Sequence, residues 1–165
     1  MKMTVIAMAL SIVALGAFWA ACSSGSGQRK VQAGVAADFR LNDIAGKAVS
    51  LAEFKGKRPV LVHFGATWCP FCHAQVPPLG KLREKYTAEE LAILSVDPNE
   101  AADVVRKYVS DNSIKYTMLV DGDGKVADLY GVTGVPQNFL VDRDGNIVAR
   151  GVPLPESDIA KLVGR

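Results

Sequence analysis

The sequence predicts an α/β domain, a mixed β-sheet flanked by helices and entered through an N-terminal hairpin. Three observations predict it. Val60-Leu61-Val62 is an unbroken apolar run, too short and too β-branched for a helix, and reads as a buried strand ending at His63 and Phe64. Beyond it, further apolar runs alternate with stretches of helical periodicity. Near the end of the chain, two apolar runs flank Asp142-Arg143-Asp144-Gly145, a strong hairpin signal.

In order, residues 39–41 and 48–51 read as two short strands around an Ile44-Ala45-Gly46 turn. Residues 51–54 read as a helical turn closed by Gly56, and Pro59 opens the central strand. After the loop Gly65-Ala66-Thr67, a helix is expected over about 72–86. Val76, Leu79 and Leu82 give its apolar stripe; Lys81, Arg83, Glu84 and Lys85 mark its wet end. Pro77-Pro78 must bend that helix or interrupt its hydrogen bonding, since proline donates no N–H. Residues 91–96 read as a second buried strand, ended by Asp97-Pro98-Asn99. Asp97 or Asn99 is expected to cap a helix reaching about Ser110, with Val104, Val105, Tyr108 and Val109 as its buried face. A third strand is expected over 116–120, then a turn at 121–124 and a short helix ending near Tyr130-Gly131. A hairpin of 139–141 with 147–150 and a last helix from Pro155 through Leu162 close the chain. No internal repeat is visible.

A chain of 165 residues allows one domain with a sizeable core, and a monomer is expected. The formal net charge of +2, with no basic run longer than a pair such as Arg29-Lys30, gives no footing for nucleic acid. Three cysteines are too few for a disulfide scaffold. One of them, Cys22, has its own explanation. Met1-Lys2 is a positive start, residues 3–21 are apolar apart from Thr4 and Ser11, and Ala20-Ala21-Cys22 precedes a polar Ser/Gly tract. That is a signal-peptide layout. It resembles a bacterial lipoprotein signal, whose cleavage would leave Cys22 as a lipidated N-terminus, although Trp19 stands where that pattern carries an aliphatic residue. An uncleaved anchor and plain secretion remain open, the apolar stretch being nearly long enough to span a bilayer. All three place the domain outside the cytoplasm, in the periplasm or its equivalent. Residues 1–22 therefore read as the signal segment, 23–36 as a flexible tether and 37–165 as the folded domain.

The chain is organised around Trp68-Cys69-Pro70-Phe71-Cys72. Two cysteines three apart at a helix start can bridge when oxidised. The first sits where free backbone N–H groups and the positive end of the helix dipole favour a thiolate. A lowered thiol pKa is what disulfide exchange needs near neutrality. Pro70, at the first helical position, forfeits no needed N–H.

This stretch resembles the thioredoxin superfamily, and the likeness extends beyond the motif. Pro77 lies where thioredoxin-like active-site helices often kink. Gly134-Val135-Pro136-Gln137-Asn138 looks like the family's cis-proline segment, and residues 38–57 look like the lead-in hairpin of the redoxin (AhpC/TSA-type) group. Together they resemble the TlpA/ResA-like thiol–disulfide oxidoreductases found outside the cytoplasm, over roughly residues 37–162. The resemblance implies a thioredoxin-like fold with a helix–strand insertion between about Asp97 and Tyr130. It implies Cys69 as nucleophile, Cys72 as resolving thiol and no bound cofactor. It places Pro136 in cis against the cysteine pair, with the Val135 backbone, Trp68, Pro70 and Phe71 meeting an extended partner chain. It also implies net reduction of protein disulfides, in apocytochrome (cytochrome c maturation) or other substrates, and a membrane dithiol donor that recycles the protein. Phe71 supplies no charge to the motif, which leans towards a reductant.

His63 occupies the position where thioredoxin carries a buried acid. It reads either as a proton acceptor for Cys72, the only nearby ionisable group on the buried side, or as a core histidine held by a carbonyl. ResA-like proteins place a titrating glutamate at Gln75, so Gln75 can hydrogen-bond near the pair but cannot take over that role. His73 reads as a surface residue near the site; if protonated it would favour the Cys69 thiolate. Other functions compete with this one. Zinc would need about four ligands, and only Cys69, Cys72, His63 and His73 are at hand, so no metal is expected. Cys69-Pro70-Phe71-Cys72-His73 matches the haem-attachment pattern, but its β context does not. A peroxiredoxin-type thiol peroxidase would carry Thr or Ser at Ala66 and Pro at Val62. Copper-delivery relatives use a wider cysteine spacing and a distal histidine. Asp121-Gly122-Asp123-Gly124 begins like a calcium loop, but Val132 stands where the bidentate acid belongs.

Overall fold

The structure, a computed structural model, describes residues 34–164. The expected signal segment, Cys22 and most of the expected tether lie outside the described residues. Seven strands form one mixed sheet: β1 (Arg40–Asp43), β2 (Ala48–Ser50), β3 (Val60–Phe64), β4 (Ala92–Pro98), β5 (Thr117–Asp121), β6 (Gln137–Val141) and β7 (Ile147–Gly151), in the order β2-β1-β5-β4-β3-β6-β7. β3 runs parallel to β4 and antiparallel to β6, and β4 runs parallel to β5. The helices are α1 (Pro70–His73), α2 (Val76–Lys85), α3 (Ala102–Asp111), α4 (Lys125–Leu129) and α5 (Glu156–Val163). A 3-10 turn at Leu51–Phe54 is closed at its start by a Ser50–Glu53 capping box.

Successive strand residues face opposite sides, so each central strand feeds two cores. Val60, Val62 and Phe64 join Leu94, Val96, Phe139 and Tyr130 on one face, where Phe139 meets Phe64 and Tyr130 edge to face. Leu61, Ile93, Met118 and Leu140 pack with Leu79 and Leu82 of α2, Val105 of α3 and Ile159 of α5 on the other. Each such buried leucine contributes about 1.5–3 kcal/mol over leaving it exposed. The helix–strand pair α3–β5 inserts β5 between β4 and β1, as the resemblance implied.

Several local expectations are corrected. The single helix expected over 72–86 is two helices, broken at Ala74-Gln75. Proline fits the first turn of a helix and not its interior, so Pro77-Pro78 start α2 instead of bending one long helix. β4 continues through Asp97 to Pro98, and α3 begins only at Ala102, with no side-chain cap. Asn99 takes positive φ, with its side chain against Gly124, and Asp97 is buried, so neither caps α3. Val104 faces solvent, and Val105 alone of the four expected residues is fully buried. Among the described residues, backbone contacts reach back to Gly34: Ala36 N–H donates to Gly145 O, Ile147 N–H donates to Gly34 O, and Val35 bridges Asn146. Asp121 accepts the N–H groups of Val126 and Ala127, so the turn once compared with a calcium loop opens α4.

Candidate active site

One face of the sheet changes character towards the carboxyl ends of its parallel strands. Leu61 is followed on that face by His63, Ile93 by Ser95 and then Asp97, and Leu140 is preceded by Asn138. The pairings His63↔Ser95 and His63↔Asn138 set these side chains in one row. All of them are buried. Carboxyl ends of parallel strands are where α/β sheets place ligands and chemistry. Here the loop after β3 carries the cysteines over that polar row.

Cys69 is the N-cap of α1 and Cys72 lies within its single turn; both are free thiols and both are buried. The Cys72 N–H donates to Cys69 Sγ at 3.3 Å. The helix dipole offered to Cys69 is that of one turn, because the helix breaks at Ala74; the local N–H is the larger stabilising contact for a thiolate there. Cys69 Sγ also lies 3.7 Å from Val135 O, and the Val135–Pro136 peptide is cis. Ala66 and Val135 pack around both sulfurs. Trp68 and Phe71, 71% and 76% exposed, stand on either side of Cys69 in sequence, with exposed Pro70 between them. Burial pushes the Cys72 thiol up to about 12, with the hydrogen bond to Cys69 adding to the rise.

Asn138 Nδ2 donates to Val152 O at 2.7 Å and to Gln75 Oε1 at 3.1 Å, so its Oδ1 accepts from His63 Nδ1 at 2.9 Å. That network assigns the proton to Nδ1 and leaves the lone pair on Nε2. Nε2 stands over Gly65, where a Cβ would approach it to 2.7 Å, so any larger residue there would displace the ring. Gln75 Nε2 donates to Val152 O at 2.7 Å, which links helix, β6 and the segment after β7. His73 is exposed, stacks near Tyr108 and donates from Nε2 to Thr67 O, steadying the loop before Cys69.

His63 is not the only ionisable group on the buried side. Asp97, whose Asp97-Pro98-Asn99 setting predicts a strand end, instead lines with His63, Gly65, Cys72 and Tyr108 a small cavity of about 10 Å³. Burial pushes its carboxyl up to about 9, helped by its hydrogen bond to Glu100. Against its own partial burial, Glu100 is held below its ordinary value by hydrogen bonds from Asp97 and Thr67. Its oxygens accept the Thr67 N–H at 2.8 Å and the Thr67 hydroxyl at 2.5 Å. The signal in the sequence was the alternation Ile93-Ser95-Asp97, polar residues continuing the helix-covered face of a buried strand. Among the described residues, no group of three or more His, Cys, Asp or Glu is placed to hold a metal ion.

Burial lowers the His63 pKa to about 4, against the opposing hydrogen bond to Asn138. As pH falls from about 6.5 to about 4, the unfolded chain takes up a proton there that the folded chain refuses. His63 therefore costs about 3 kcal/mol of stability across that window. Asp97 acts oppositely: the folded state keeps a proton that the unfolded state has lost above its ordinary carboxyl range, and this stabilises the fold on acidification. Urea unfolding of His63→Leu against wild type, at the two ends of the window, is expected to show that the variant gains relative stability at the acid end.

Residues 33–150 match the AhpC/TSA family. The chain belongs to that family. It is a ResA-like member of the thioredoxin superfamily, as its relatives show. It is 32% identical over 124 residues to the thiol-disulfide oxidoreductase ResA of Bacillus cereus (strain ATCC 10987), covering 74% of this chain and 71% of the relative. Against ResA of Bacillus thuringiensis subsp. konkukian (strain 97-27) it is 33% identical over 113 residues, 68% of this chain but only 65% of the relative. Among solved structures, a putative thiol:disulfide interchange protein DsbE from Chlorobium tepidum superposes with a TM-score of 0.67 at 29% identity, over 78% of this chain and 89% of that one. The thioredoxin domain of a thiol-disulfide oxidoreductase from Bacteroides vulgatus superposes at 0.71 with 27% identity, over 79% and 96%. This AhpC/TSA member thus has the thioredoxin-like fold that its motifs implied. No helix among its described residues is long and apolar enough to cross a membrane.

Proposed function

We propose that the protein is a thiol–disulfide oxidoreductase that works on protein disulfides outside the cytoplasm, held at a membrane through Cys22. The observation that carries this reading is the free thiol pair: Cys69 at a helix start, touched by the Cys72 N–H and set beside the carbonyl of Val135. The Cys69 thiolate attacks a partner disulfide, a mixed disulfide forms, and one partner thiolate leaves. The Cys72 thiol loses its proton and attacks Cys69 Sγ; the Cys69–Cys72 disulfide forms and the second partner thiolate leaves. Two electrons pass from the protein to the partner, and the thiols themselves carry the chemistry. An extended partner chain that pairs with the Val135 backbone takes over the carbonyl now beside Cys69, while Trp68, Pro70 and Phe71 supply its apolar contacts and Pro136 shapes the groove.

The reading extends to net reduction, with a membrane dithiol donor recycling the pair and apocytochrome among the substrates, on the ground of the ResA likeness and of a motif whose Phe71 adds no charge. The monomer works alone in this scheme. The full chain, supplied with a dithiol reductant, is expected to reduce insulin disulfides and to leave hydrogen peroxide unconsumed. Peroxide consumption without insulin reduction would replace this reading with a thiol peroxidase. The anchor has its own test: Cys22→Ala is expected to move the protein from the membrane to the soluble fraction or to leave its precursor uncut. A mature N-terminus beyond residue 22 bearing no lipid would refute it.

A further inference from the structure

Resolution leaves one proton without a destination. Cys72 is a buried thiol whose pKa lies far above neutrality, so it must give up its proton as the new S–S bond forms. The acceptor has to face the cavity beneath it. The titratable groups there are His63 from β3, Asp97 from β4, Tyr108 from α3 and Tyr116 just before β5. Glu100 stands behind Asp97, Cys69 lies beside Cys72, and His73 is turned outward to the Thr67 carbonyl. Burial raises both tyrosines so far that each stays a neutral phenol, which is no base, well beyond the pH at which Asp97 ionises.

Two acceptors remain, and geometry separates them. His63 is satisfied at Nδ1 by Asn138, and gaining a second proton would create a buried imidazolium with no carboxylate bonded to it. Asp97 presents the opposite situation. It is 2% exposed, and its Oδ1 is a buried acceptor with no hydrogen-bond partner. That oxygen has no other partner to displace and is open to a proton arriving from Cys72. The other side of the Asp97 carboxyl meets Glu100, which is half-exposed and accepts from Thr67, two residues before Cys69.

We propose that Asp97, rather than His63, takes the proton of Cys72 during resolution, and that the Asp97–Glu100 pair carries it towards solvent. The step balances. In the fraction of molecules with Asp97 ionised, which grows towards the alkaline side because burial holds that carboxyl up at about 9, Cys69–S–S–partner, Cys72–SH and Asp97–COO⁻ give the Cys69–Cys72 disulfide, partner–S⁻ and Asp97–COOH. The S–H bond breaks to the carboxylate, the sulfur pair makes the new S–S bond, and the leaving thiolate carries off the charge. When the pair is reduced again, protonated Asp97 returns the proton to Cys72 as its sulfur leaves. The directions agree: burial raises the carboxyl of Asp97 and lowers the imidazole of His63, so ionised Asp97 is the stronger base of the two.

This inference rests on the disulfide-exchange reading, and its test keeps the two apart. The reduced full chain is mixed with a fluorescent peptide disulfide in stopped flow, between about pH 5 and 9, and the two phases are read separately. In Asp97→Asn the first phase, formation of the mixed disulfide, is expected to persist. Resolution is expected to slow by about 10²-fold or more and to lose its alkaline ionisation. Asp97→Glu is expected to recover part of the rate, and His63→Leu to keep the alkaline ionisation. Unchanged resolution in Asp97→Asn would overturn the proposal, and slowing in His63→Leu alone would hand the role to the imidazole. If Asp97→Asn does not fold, infrared difference spectra of the wild type decide: a buried protonated carboxyl that shifts between the dithiol and disulfide forms supports the proposal, and its absence overturns it. A wild type with no first phase would instead overturn the exchange reading, and this inference with it.

Discussion

Cys69→Ser is expected to bring insulin reduction down to the uncatalysed background, a loss of at least about 10³-fold. The physical reason is twofold. A serine hydroxyl holds its proton far more tightly than a thiol, and no oxygen can replace sulfur in the exchanged S–S bond. The substitution changes little else, since Cys69 contributes its N-cap contact to the Cys72 N–H and a hydroxyl accepts that bond as well. The variant is therefore expected to unfold at nearly the wild-type urea midpoint while its activity is gone. Retention of activity in a folded Cys69→Ser protein would move the nucleophile elsewhere.

Cys72→Ser is expected to fail differently. The first attack needs only Cys69, so the variant reacts with a partner disulfide once and stops with the partner attached. Intact mass after mixing is expected to show one partner thiol per chain, released by a small reductant. The half-life of that adduct is expected to exceed the wild-type value by at least about 10²-fold, because resolution then depends on an external thiol. In an extract of extracytoplasmic proteins the same variant is expected to retain its partners as mixed disulfides. A Cys72→Ser protein that turns over insulin like wild type would remove Cys72 from the reaction.

Much of this was legible from the chain. The run Val60-Leu61-Val62 could only be a buried strand, and the spacing of Cys69 and Cys72 after it placed the thiols at a helix start. The cis bond before Pro136 came from resemblance, and the backbone shows it. The break between α1 and α2 was half legible: the prolines announced a disruption, but their comfort in a first turn decided that it falls before them. The place of Asp97 is not legible locally, for a definite reason. Asp97-Pro98-Asn99 carries the local marks of a turn, and local marks say nothing of sheet register. Only the pairing His63↔Ser95 shows that Asp97 continues the row under Cys72, and only the loop from Pro98 to Ala101 brings Glu100 to Thr67. The same holds for Asn138, whose contact with His63 spans 75 residues of chain. Contacts of that range are written in topology rather than in neighbouring residues.

The central claim is that Cys69 and Cys72 exchange two electrons with a disulfide as one unit. One measurement reaches it most directly: the intact mass of the reduced full chain after reaction with a single equivalent of a disulfide-linked peptide. The protein is expected to lose the mass of two hydrogens, the new bond to map to a Cys69–Cys72 disulfide, and both peptide thiols to be released. A protein of unchanged mass, or one that gains oxygen only when peroxide is present, would contradict it.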